Sequence, residues 1–185
     1  MTATGVLLRR QGRSARGRAY LIRPTSTEDA DALVELRDSV AAEGVWLAAQ
    51  PGERTALEES LVLAGLLSQG GLSLILQVGG GIAGHLVVQR QSGDEAHVAE
   101  LAVILRDGFR GERLGRALME TAVDWARAVG LRKLRLGVFV NNARAIALYR
   151  SLGFADEGVL QAQVRVAGDE RDLLMMGLLL EPRRA

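Results

Sequence analysis

The sequence contains no cysteine and only two histidines, His85 and His97. Without cysteine the chain cannot form disulfides, use a thiolate nucleophile or build a cysteine-based metal site. The two histidines are too few and too scattered for a zinc centre, so we expect no metal. No apolar run approaches the ~18 residues that a membrane-spanning helix needs. We therefore expect a cytoplasmic protein with no membrane partner.

Charge is nearly balanced over the whole chain but uneven along it. The formal net charge is +1, whereas residues 1–18 contain no acid and several arginines: Arg9, Arg10, Arg13, Arg16 and Arg18. The remainder is therefore slightly acidic, which argues against a nucleic-acid-binding body. We predict that residues 1–18 are a disordered, solvated extension. Contact with RNA or a membrane, or a targeting role, are the alternatives.

The chain does have enough apolar residues, 48% of 185, for one sizeable core, and we place a single domain at residues 19–181. Hydrophobic spacing predicts a strand, two helices, three strands, a helix, a strand, a helix and two strands, with the second helix over Glu53 to Ser68 and the last helix capped by Asn141-Asn142. This order indicates an α/β (α+β mixed) fold with a mixed sheet. In the second helix, the apolar spacing predicts a core-facing stripe of Leu57, Leu61, Ala64 and Leu67.

Residues 100–119 form the most unusual stretch. A strand-like run breaks at Asp107-Gly108, passes through a basic bend and turns directly into the strongest helical pattern of the sequence. The first N–H groups of a helix lack intrahelical partners and lie at its positive end, so this bend could bind an anion. Gly111 and Gly115 would allow close approach, and nearby arginines would add charge. Taken alone, a glycine-bearing helix entry with solvated arginines is an equal alternative.

Two segments together resemble the signatures of the GNAT superfamily of acyl-CoA-dependent N-acyltransferases. Residues 110–115 read Arg-Gly-Glu-Arg-Leu-Gly, similar to (Gln/Arg)-x-x-Gly-x-(Gly/Ala). The second segment has Asn142, Ala145, Ile146, Leu148, Tyr149, Gly153 and Phe154 at the family's spacing. The resemblance covers nearly all of residues 19–180. It implies a single-domain GNAT-like fold whose mostly antiparallel sheet has about seven strands, flanked by about four helices, and splays between the fourth and fifth strands.

The resemblance also implies acetyl-CoA as co-substrate and no metal. Main-chain groups of Val103 and Leu105 would pair with the pantetheine arm. Asn142 and Ala145 would border the cofactor, and Tyr149 would face the thioester sulfur. The bend would hold the pyrophosphate through its main-chain N–H groups, with these residues at the cofactor: Arg110, Gly111, Glu112, Arg113, Leu114, Gly115 and Arg116.

Arg113 stands where the family signature normally has glycine. If this position needs a positive φ, an arginine there would be strained. If the residue is already helical, arginine is harmless and adds a phosphate contact. We predict the helical conformation, because the helical pattern begins at this residue.

Amide formation requires a neutral amine, yet a lysine-like amine has a pKa near ~10.4. We predict that Glu100 accepts the proton, directly or through a water, although it could instead be a surface carboxylate. Its position alternates with that of Val103, so only a bulge would turn it to the same side. Tyr149 is predicted to donate a proton to the leaving thiolate, with simple packing at a helix end as the alternative. Without a cysteine, we expect direct attack in a ternary complex.

The sequence therefore predicts an N-acetyltransferase acting on a primary amine of a small molecule or of a protein or peptide. A non-catalytic acyl-CoA-binding sensor or subunit is the alternative. A third possibility uses the arginine-rich N-terminus to dock on ribosomal RNA. We expect residues 41–55, with Trp46, and the turn near Gly168 to shape the acceptor site. A homodimer is left open.

Overall fold

The computed structural model describes residues 8–180, and this part of the chain contains eight strands and four α-helices. The strands are β1 (Arg10–Arg13), β2 (Ala19–Pro24), β3 (Leu72–Val78), β4 (Gly81–Arg90), β5 (Val98–Leu105), β6 (Lys133–Phe139), β7 (Ala155–Val166) and β8 (Asp169–Leu179). The helices are α1 (Ala30–Ala41), α2 (Ala56–Ser68), α3 (Leu114–Ala128) and α4 (Ala143–Ser151). None of these helices is long and apolar enough to cross a bilayer. The predicted mixed α/β fold class is confirmed.

All eight strands belong to one sheet with the order β1-β2-β3-β4-β5-β6-β8-β7. Neighbouring strands are antiparallel except β5 and β6, which run parallel. These two pair only at Val98 with Lys133, Ala99 with Leu134, and Glu100 with Arg135, after which they diverge. This opening, which we call the gap, is the predicted splay, although the additional strand β1 makes it lie between the fifth and sixth strands.

Capping residues set the helix starts that matter for the site. The Thr55 hydroxyl accepts a hydrogen bond from Glu58 N, and the Glu58 side chain returns to Thr55 N. This capping box starts α2 at Ala56, slightly later than the apolar pattern suggests. Asn142 Oδ1 accepts from Ala145 N at 3.1 Å, so α4 starts at Ala143, as the sequence predicts.

The sheet has a helix layer on each face. Helices α3 and α4 pack on what we call the α3 face, where Leu118 and Leu134 are fully buried. Helices α1 and α2 pack on the opposite α1 face, where Leu36 and Ile75 are fully buried. Because side chains alternate along each strand, consecutive residues of β5 supply these two cores in turn.

The predicted core face of α2 is wrong. Leu57, Leu61 and Leu67 are 71%, 64% and 47% exposed, whereas Glu59 and Leu63 are buried. The helix is leucine-rich around most of its circumference, so apolar spacing does not single out one face. An ion pair between Glu59 and Arg54, 2.8 Å apart, allows the carboxylate to be on the inner side.

The predicted disordered extension is also wrong for the residues that the structure describes. Arg10–Arg13 form strand β1 at the edge of the sheet, antiparallel to β2, and Leu8 is buried. Arg10 Nη1 donates to Glu120 Oε2 on α3 at 3.1 Å. Strand pairing and this contact offset the entropy of ordering the segment. Residues 1–7, and residue 181 of the predicted domain, lie outside the described residues.

Candidate functional site

Main-chain hydrogen-bonding groups border the gap on both sides. Arg106 N donates to β4 at 2.9 Å, and main-chain groups alternate sides along a strand, so Val103 and Leu105 direct theirs into the gap. Directly after β6, Val140 N donates to the main-chain oxygen of Asp172 in β8 at 3.3 Å. Because main-chain groups alternate sides, those of Phe139 point toward the gap. Val103 and Leu105 thus border the gap with main-chain groups suited to an extended amide-bearing chain, whereas on the β6 side the Phe139 carbonyl already accepts from Asn142 N at 2.9 Å.

The bend at the end of the gap is built from unusual backbone conformations. Gly108, Gly111 and Arg113 have φ values of 79°, 78° and 64°. Helix α3 starts directly afterwards, at Leu114. Within residues 8–180, no acceptor receives the main-chain N–H groups of residues 111–116. Main-chain donors of this kind at a positive helix end suit the binding of an anion, and that role stays a prediction here.

The predicted conformation of Arg113 is wrong. It is the N-cap of α3, with φ 64° and ψ 6°, and therefore left-handed rather than helical. A residue with a Cβ pays about 1–2 kcal/mol for this conformation, because the Cβ approaches the following carbonyl oxygen. The helical spacing begins one residue later and carries no information about the N-cap. The Arg113 side chain is exposed and makes no ion pair within residues 8–180.

The Arg110 guanidinium makes its hydrogen bonds to acceptors within the protein. Its two terminal nitrogens donate to the two carboxylate oxygens of Glu43 at 2.6 Å each. Its Nη2 also donates to the main-chain oxygen of Leu105 at 2.7 Å. Arg110 therefore joins the end of β5 to the segment after α1. Its role as a phosphate contact stays a prediction.

Three further residues of the bend also make protein contacts. Arg116 Nη2 donates to Ser151 Oγ at 2.5 Å. Leu114 is buried in the core of the α3 face. A Cβ atom on Gly115 would lie 3.5 Å from side-chain carbons of Leu105 and Leu148, so the helix start packs closely against the end of β5. For Leu114 and Gly115, a role toward the cofactor would therefore depend on their main-chain groups. The cofactor role of Arg116 stays a prediction.

Glu112 has its side chain turned into the protein and fully buried. Ser14 Oγ donates to its carboxylate at 2.7 Å, and Arg18 Nε at 3.1 Å. These hydrogen bonds, that of Ser14 first, hold the pKa of the Glu112 carboxyl below its ordinary value, against the opposing effect of burial. Only the main chain of Glu112 can therefore face an anion.

Arg144 was not among the predicted site residues. It is on the first turn of α4, and its guanidinium lies so close to Gly111 that a Cβ atom there would collide with it. A cation at the positive end of a helix is unfavourable by itself, and this is the sequence signal that could have identified it. Arg144 makes no ion pair within the described part of the chain, so its charge is available at the bend.

Tyr149 lies in the core of the α3 face and is 8% exposed. Burial raises the pKa of Tyr149 to about 12. Its ring centroid is 6.0 Å from that of Phe154, and its hydroxyl has no hydrogen-bond partner among residues 8–180. Asn142 and Ala145 are held together by the α4 cap, so the second signature forms one rigid unit around Tyr149.

Glu100 lies at the position where β5 and β6 separate. The register between β4 and β5 is unbroken there, so there is no bulge, and its side chain is on the α1 face. The Glu100 carboxylate is half exposed and 3.4 Å from Arg135 Nε. Glu100 and Tyr149 therefore approach the gap from opposite faces of the sheet.

A cleft of about 390 Å³ opens on the α1 face next to β5. Its apolar lining includes Leu33, Leu47, Leu63, Val87 and Ile104, and its polar lining includes Arg37, Arg54, Glu59 and His85. His85 Nε2 lies 2.9 Å from Ser73 Oγ, and burial lowers the pKa of His85 to about 4, so the imidazole is neutral near pH 7. The cleft is thus mostly apolar, with a few buried polar groups.

The two segments that we expected to shape an acceptor site come together above this face. A Cβ atom placed on Gly44, in the loop between α1 and α2, would lie 3.9 Å from the Cβ of Ala167 in the β7–β8 turn. Trp46 packs against the core of the α1 face and Leu47 lines the cleft. Their specific roles toward an acceptor stay predictions.

The acetyltransferase (GNAT) family model matches residues 34–154, and the chain belongs to this family. An L-methionine sulfoximine/L-methionine sulfone acetyltransferase of Pseudomonas paraeruginosa is 36% identical over 86 residues, covering 46% of this chain and 50% of that protein. The ribosomal protein bS18-alanine N-acetyltransferase of Escherichia coli is 35% identical over 85 residues, covering 46% and 56%. The chain spans about half the length of these curated relatives.

A GNAT-family acetyltransferase from Streptococcus pneumoniae has the same fold, with a TM-score of 0.80 and 27% identity, covering 88% of this chain and 99% of that one. Solved structures of this fold include complexes with acetyl-CoA, the acetyl donor of the family. The predicted family and cofactor are thereby confirmed.

Proposed function

We propose that this protein transfers an acetyl group from acetyl-CoA to a primary amine by direct attack in a ternary complex. The observation that carries this proposal is the row of N–H groups at residues 111–116, which have no acceptor within residues 8–180 and follow directly on the gap. Acetyl-CoA has a matching order of groups, since an amide-bearing arm joins its thioester to a pyrophosphate. The arm would lie along β5 and the pyrophosphate at the start of α3.

The chain's own residues divide the binding of this ligand between them. Val103 would pair through its main chain with the amides of the arm. The Leu105 carbonyl already accepts from Arg110, which leaves the Leu105 N–H for the cofactor. Arg113 and Arg144 would supply the positive charge beside the phosphates, because neither has a carboxylate partner within residues 8–180.

In the reaction, the amine nitrogen attacks the thioester carbonyl carbon, a C–N bond forms, and the C–S bond breaks to release CoA as thiolate. The attacking nitrogen must lose a proton. Glu100 is the proposed acceptor, directly or through a water, since it lies where the gap opens and on the face that carries the cleft. The products are an acetamide and CoA.

Tyr149 would stabilise the leaving thiolate from the α3 face. A phenol with a pKa of about 12 stays protonated at neutral pH, and a thiol has a pKa near ~8.5, so full transfer from Tyr149 to the thiolate is uphill. A hydrogen bond from the hydroxyl to the sulfur has no such cost. We therefore assign Tyr149 a donated hydrogen bond in the transition state, with the proton on CoA coming finally from the amine or solvent.

The acceptor would enter through the cleft on the α1 face. Its volume of about 390 Å³ is in the range of small-molecule sites, and its charged groups already form ion pairs. A primary amine on a small, largely apolar body fits such a cleft better than a polyanion or polycation. The relatives act on an amino-acid analogue and on a protein alanine, so both free amino acids and peptide N-termini are candidates. Cytoplasmic location stays a prediction.

Titration calorimetry tests the cofactor site, and thiol release tests turnover. We expect acetyl-CoA to bind at least about 100-fold more tightly than acetyl-pantetheine, which lacks the pyrophosphate. Thiol release would then be measured with apolar amines, methionine sulfone, a polyamine and an alanine-terminated peptide. Binding without turnover on any amine would support the sensor alternative. Equal affinity for the two thioesters would overturn the pyrophosphate assignment.

A further inference from the structure

The turn between β1 and β2 is fastened to the bend through Glu112. Ser14 Oγ and Arg18 Nε donate to the Glu112 carboxylate at 2.7 and 3.1 Å. Ala15 N donates to the main-chain oxygen of Glu112 at 3.0 Å. The Glu112 side chain is fully buried. One residue of the bend is thus held at both its side chain and its main chain by the N-terminal segment.

Arg18 also holds the start of the same bend. Its Nη2 donates to the main-chain oxygen of Gly108 at 2.7 Å, and its guanidinium carbon lies 4.6 Å from the ring centroid of Phe109. The stacking is a cation–π contact in addition to the hydrogen bonds. A single side chain therefore fixes both ends of the segment from Gly108 to Glu112.

We propose that Ser14, Arg18 and Glu112, which we call the N-terminal clamp, are positioning residues that hold the bend in the conformation that receives the cofactor's pyrophosphate. The inference deepens the proposed function and rests on it. The N-terminal segment lies before the part of the chain that matches the family model, residues 34–154. The turn between β1 and β2 would accordingly be a component of the cofactor site rather than part of a peripheral extension.

The sign of the charge on Glu112 supports a positioning role. A carboxylate in an anion-binding bend would repel phosphate if it faced the ligand. Here it is directed inward, where Arg18 neutralises it and Arg16 Nη1 is 3.7 Å away. A buried acid in this place is compatible with anion binding only as an internal anchor.

The strain at Arg113 explains why the bend needs an anchor. A left-handed non-glycine residue persists only where its surroundings over-determine it. Glu112 precedes Arg113 directly, and it accepts hydrogen bonds from the side chains of Ser14 and Arg18 and from the main chain of Ala15. Without the clamp, we expect the backbone to relax toward conformations that scatter the free N–H groups, and ordering them again would weaken cofactor binding.

Three variants test the clamp: Ser14→Ala, Arg18→Ala and Glu112→Ala. We expect the last two to raise both the Kd and the KM for acetyl-CoA at least about tenfold, while kcat at saturation stays within about twofold. Glu112→Gln keeps an acceptor for Ser14 and should restore part of the affinity. Arg10→Ala is the matched control, because it removes an arginine contact of the same N-terminal segment, to Glu120, without touching the bend.

A double-mutant cycle separates positioning from general stability. Arg113→Gly removes the strain that the clamp counteracts, so Arg18→Ala should raise the acetyl-CoA Kd less in that background than in the wild type. A merely structural clamp would give the same loss in both backgrounds. Thermal melting identifies any variant that fails to fold, and Ser14→Ala, the mildest change, then carries the comparison.

Amide hydrogen exchange without ligand distinguishes failure of the clamp from failure of the proposed function. We expect faster exchange at the hydrogen-bonded amides around the bend, those of Ala15, Phe109 and Ala117, in Arg18→Ala and Glu112→Ala, but not in Arg10→Ala. If wild-type protein does not bind acetyl-CoA, the proposed function fails and a clamp serving it fails too, whereas faster exchange would still show that these residues order the bend. If the wild type binds but neither exchange nor affinity changes in the clamp variants, the clamp alone is overturned.

Discussion

On the α1 face, the two arginines of the cleft, Arg37 and Arg54, each have a carboxylate 2.8 Å away. At the bend, Arg113 and Arg144 have no such partner within residues 8–180. Arg110 and Arg116 of the bend do have carboxylate partners, so two paired arginines of the cleft stand against two unpaired arginines of the bend. In the cleft their charge is cancelled inside the protein, whereas at the bend it is left for a ligand.

The difference indicates which ligand brings charge to the site. A polyanion such as a pyrophosphate satisfies both the free N–H groups and the free arginines of the bend. An acceptor in the proposed cleft would meet paired ions and a neutral imidazole, so its recognition there would depend on shape, apolar contact and a few hydrogen bonds. Variants in the cleft, at the bend, or at the Arg110–Glu43 pair that joins them test whether the two regions differ in this way.

The largest expected effect is on the α3 face. Tyr149→Phe removes one hydroxyl and should lower kcat about 10²- to 10³-fold, because the leaving thiolate loses its donor. The KM for acetyl-CoA should change less than about threefold. Tyr20→Phe, at the only other tyrosine, is the control and should leave both constants unchanged. Thiol-release kinetics measure both, and an unchanged kcat in Tyr149→Phe would remove Tyr149 from the reaction.

The next effect is on stability and arises on the α1 face. The folded-state pKa of His85 is about 4, below the ordinary 6.5, so between these values the unfolded chain binds a proton that the folded chain does not. Stability should therefore fall as pH decreases from 6.5 to about 4, by up to about 3 kcal/mol from this residue. Above pH 6.5 the imidazole is neutral in both the folded and the unfolded chain, so His85 adds no further pH dependence to the stability.

His85→Asn should flatten that part of the pH profile in urea unfolding experiments. His97→Asn is the matched control, because His97 is exposed and should leave the slope as in the wild type. If the free energy of unfolding changed with pH equally in the two variants, the folded protein would not hold His85 as a buried neutral imidazole.

A moderate effect is expected where Arg110 joins the two regions. Arg110→Ala and Glu43→Ala should each raise the KM for acetyl-CoA about tenfold, and the double variant no further, because both break one link that holds the end of β5. Glu53→Gln, which breaks the Arg37 pair in the cleft, should leave that KM unchanged. A rise in Arg110→Ala alone would show that Arg110 binds phosphate directly.

The smallest effect is on the backbone of the bend. Arg113→Gly should stabilise the fold by about 0.5–1 kcal/mol, since the relief of left-handed strain exceeds the added entropy of glycine. The melting temperature should rise by about 2–4 °C or less. Arg127→Gly, in the right-handed part of α3, should instead lose about 1 kcal/mol. A loss in both variants would exclude strain at Arg113.

The sequence predicted the features that depend on local periodicity and on the two family signatures. The strong helical spacing of α3, the Asn142 cap and the splayed strands are all present. Each of these follows from residues close together in the chain, or from a resemblance that includes them. Local pattern therefore predicted the elements that border the gap and the bend, whereas the roles of their residues stay predictions.

Contacts between distant residues could not be read in the same way. Arg110 resembles a phosphate ligand in the signature, yet its partner Glu43 is 67 residues away. Strand β1 has only four residues, two of them arginines, and they carry no apolar alternation that would predict a strand. Their pairing with β2 orders them. The helical spacing begins only after Arg113, at Leu114, so it gave the wrong conformation for this residue.

Strands β1 to β5 form one block of the sheet and β6 to β8 form another. The two blocks are joined where β5 pairs with β6 over three residue pairs, which we call the seam. A rotation about so short a seam moves the most distant points furthest. The loop bearing Gly44 connects to the first block and Ala167 to the second, and they meet far from the seam. The three-pair seam and the contact between the Gly44 loop and the Ala167 turn thus join the same two blocks at different places, so a change in the width of the gap would also act on the cover of the proposed acceptor cleft.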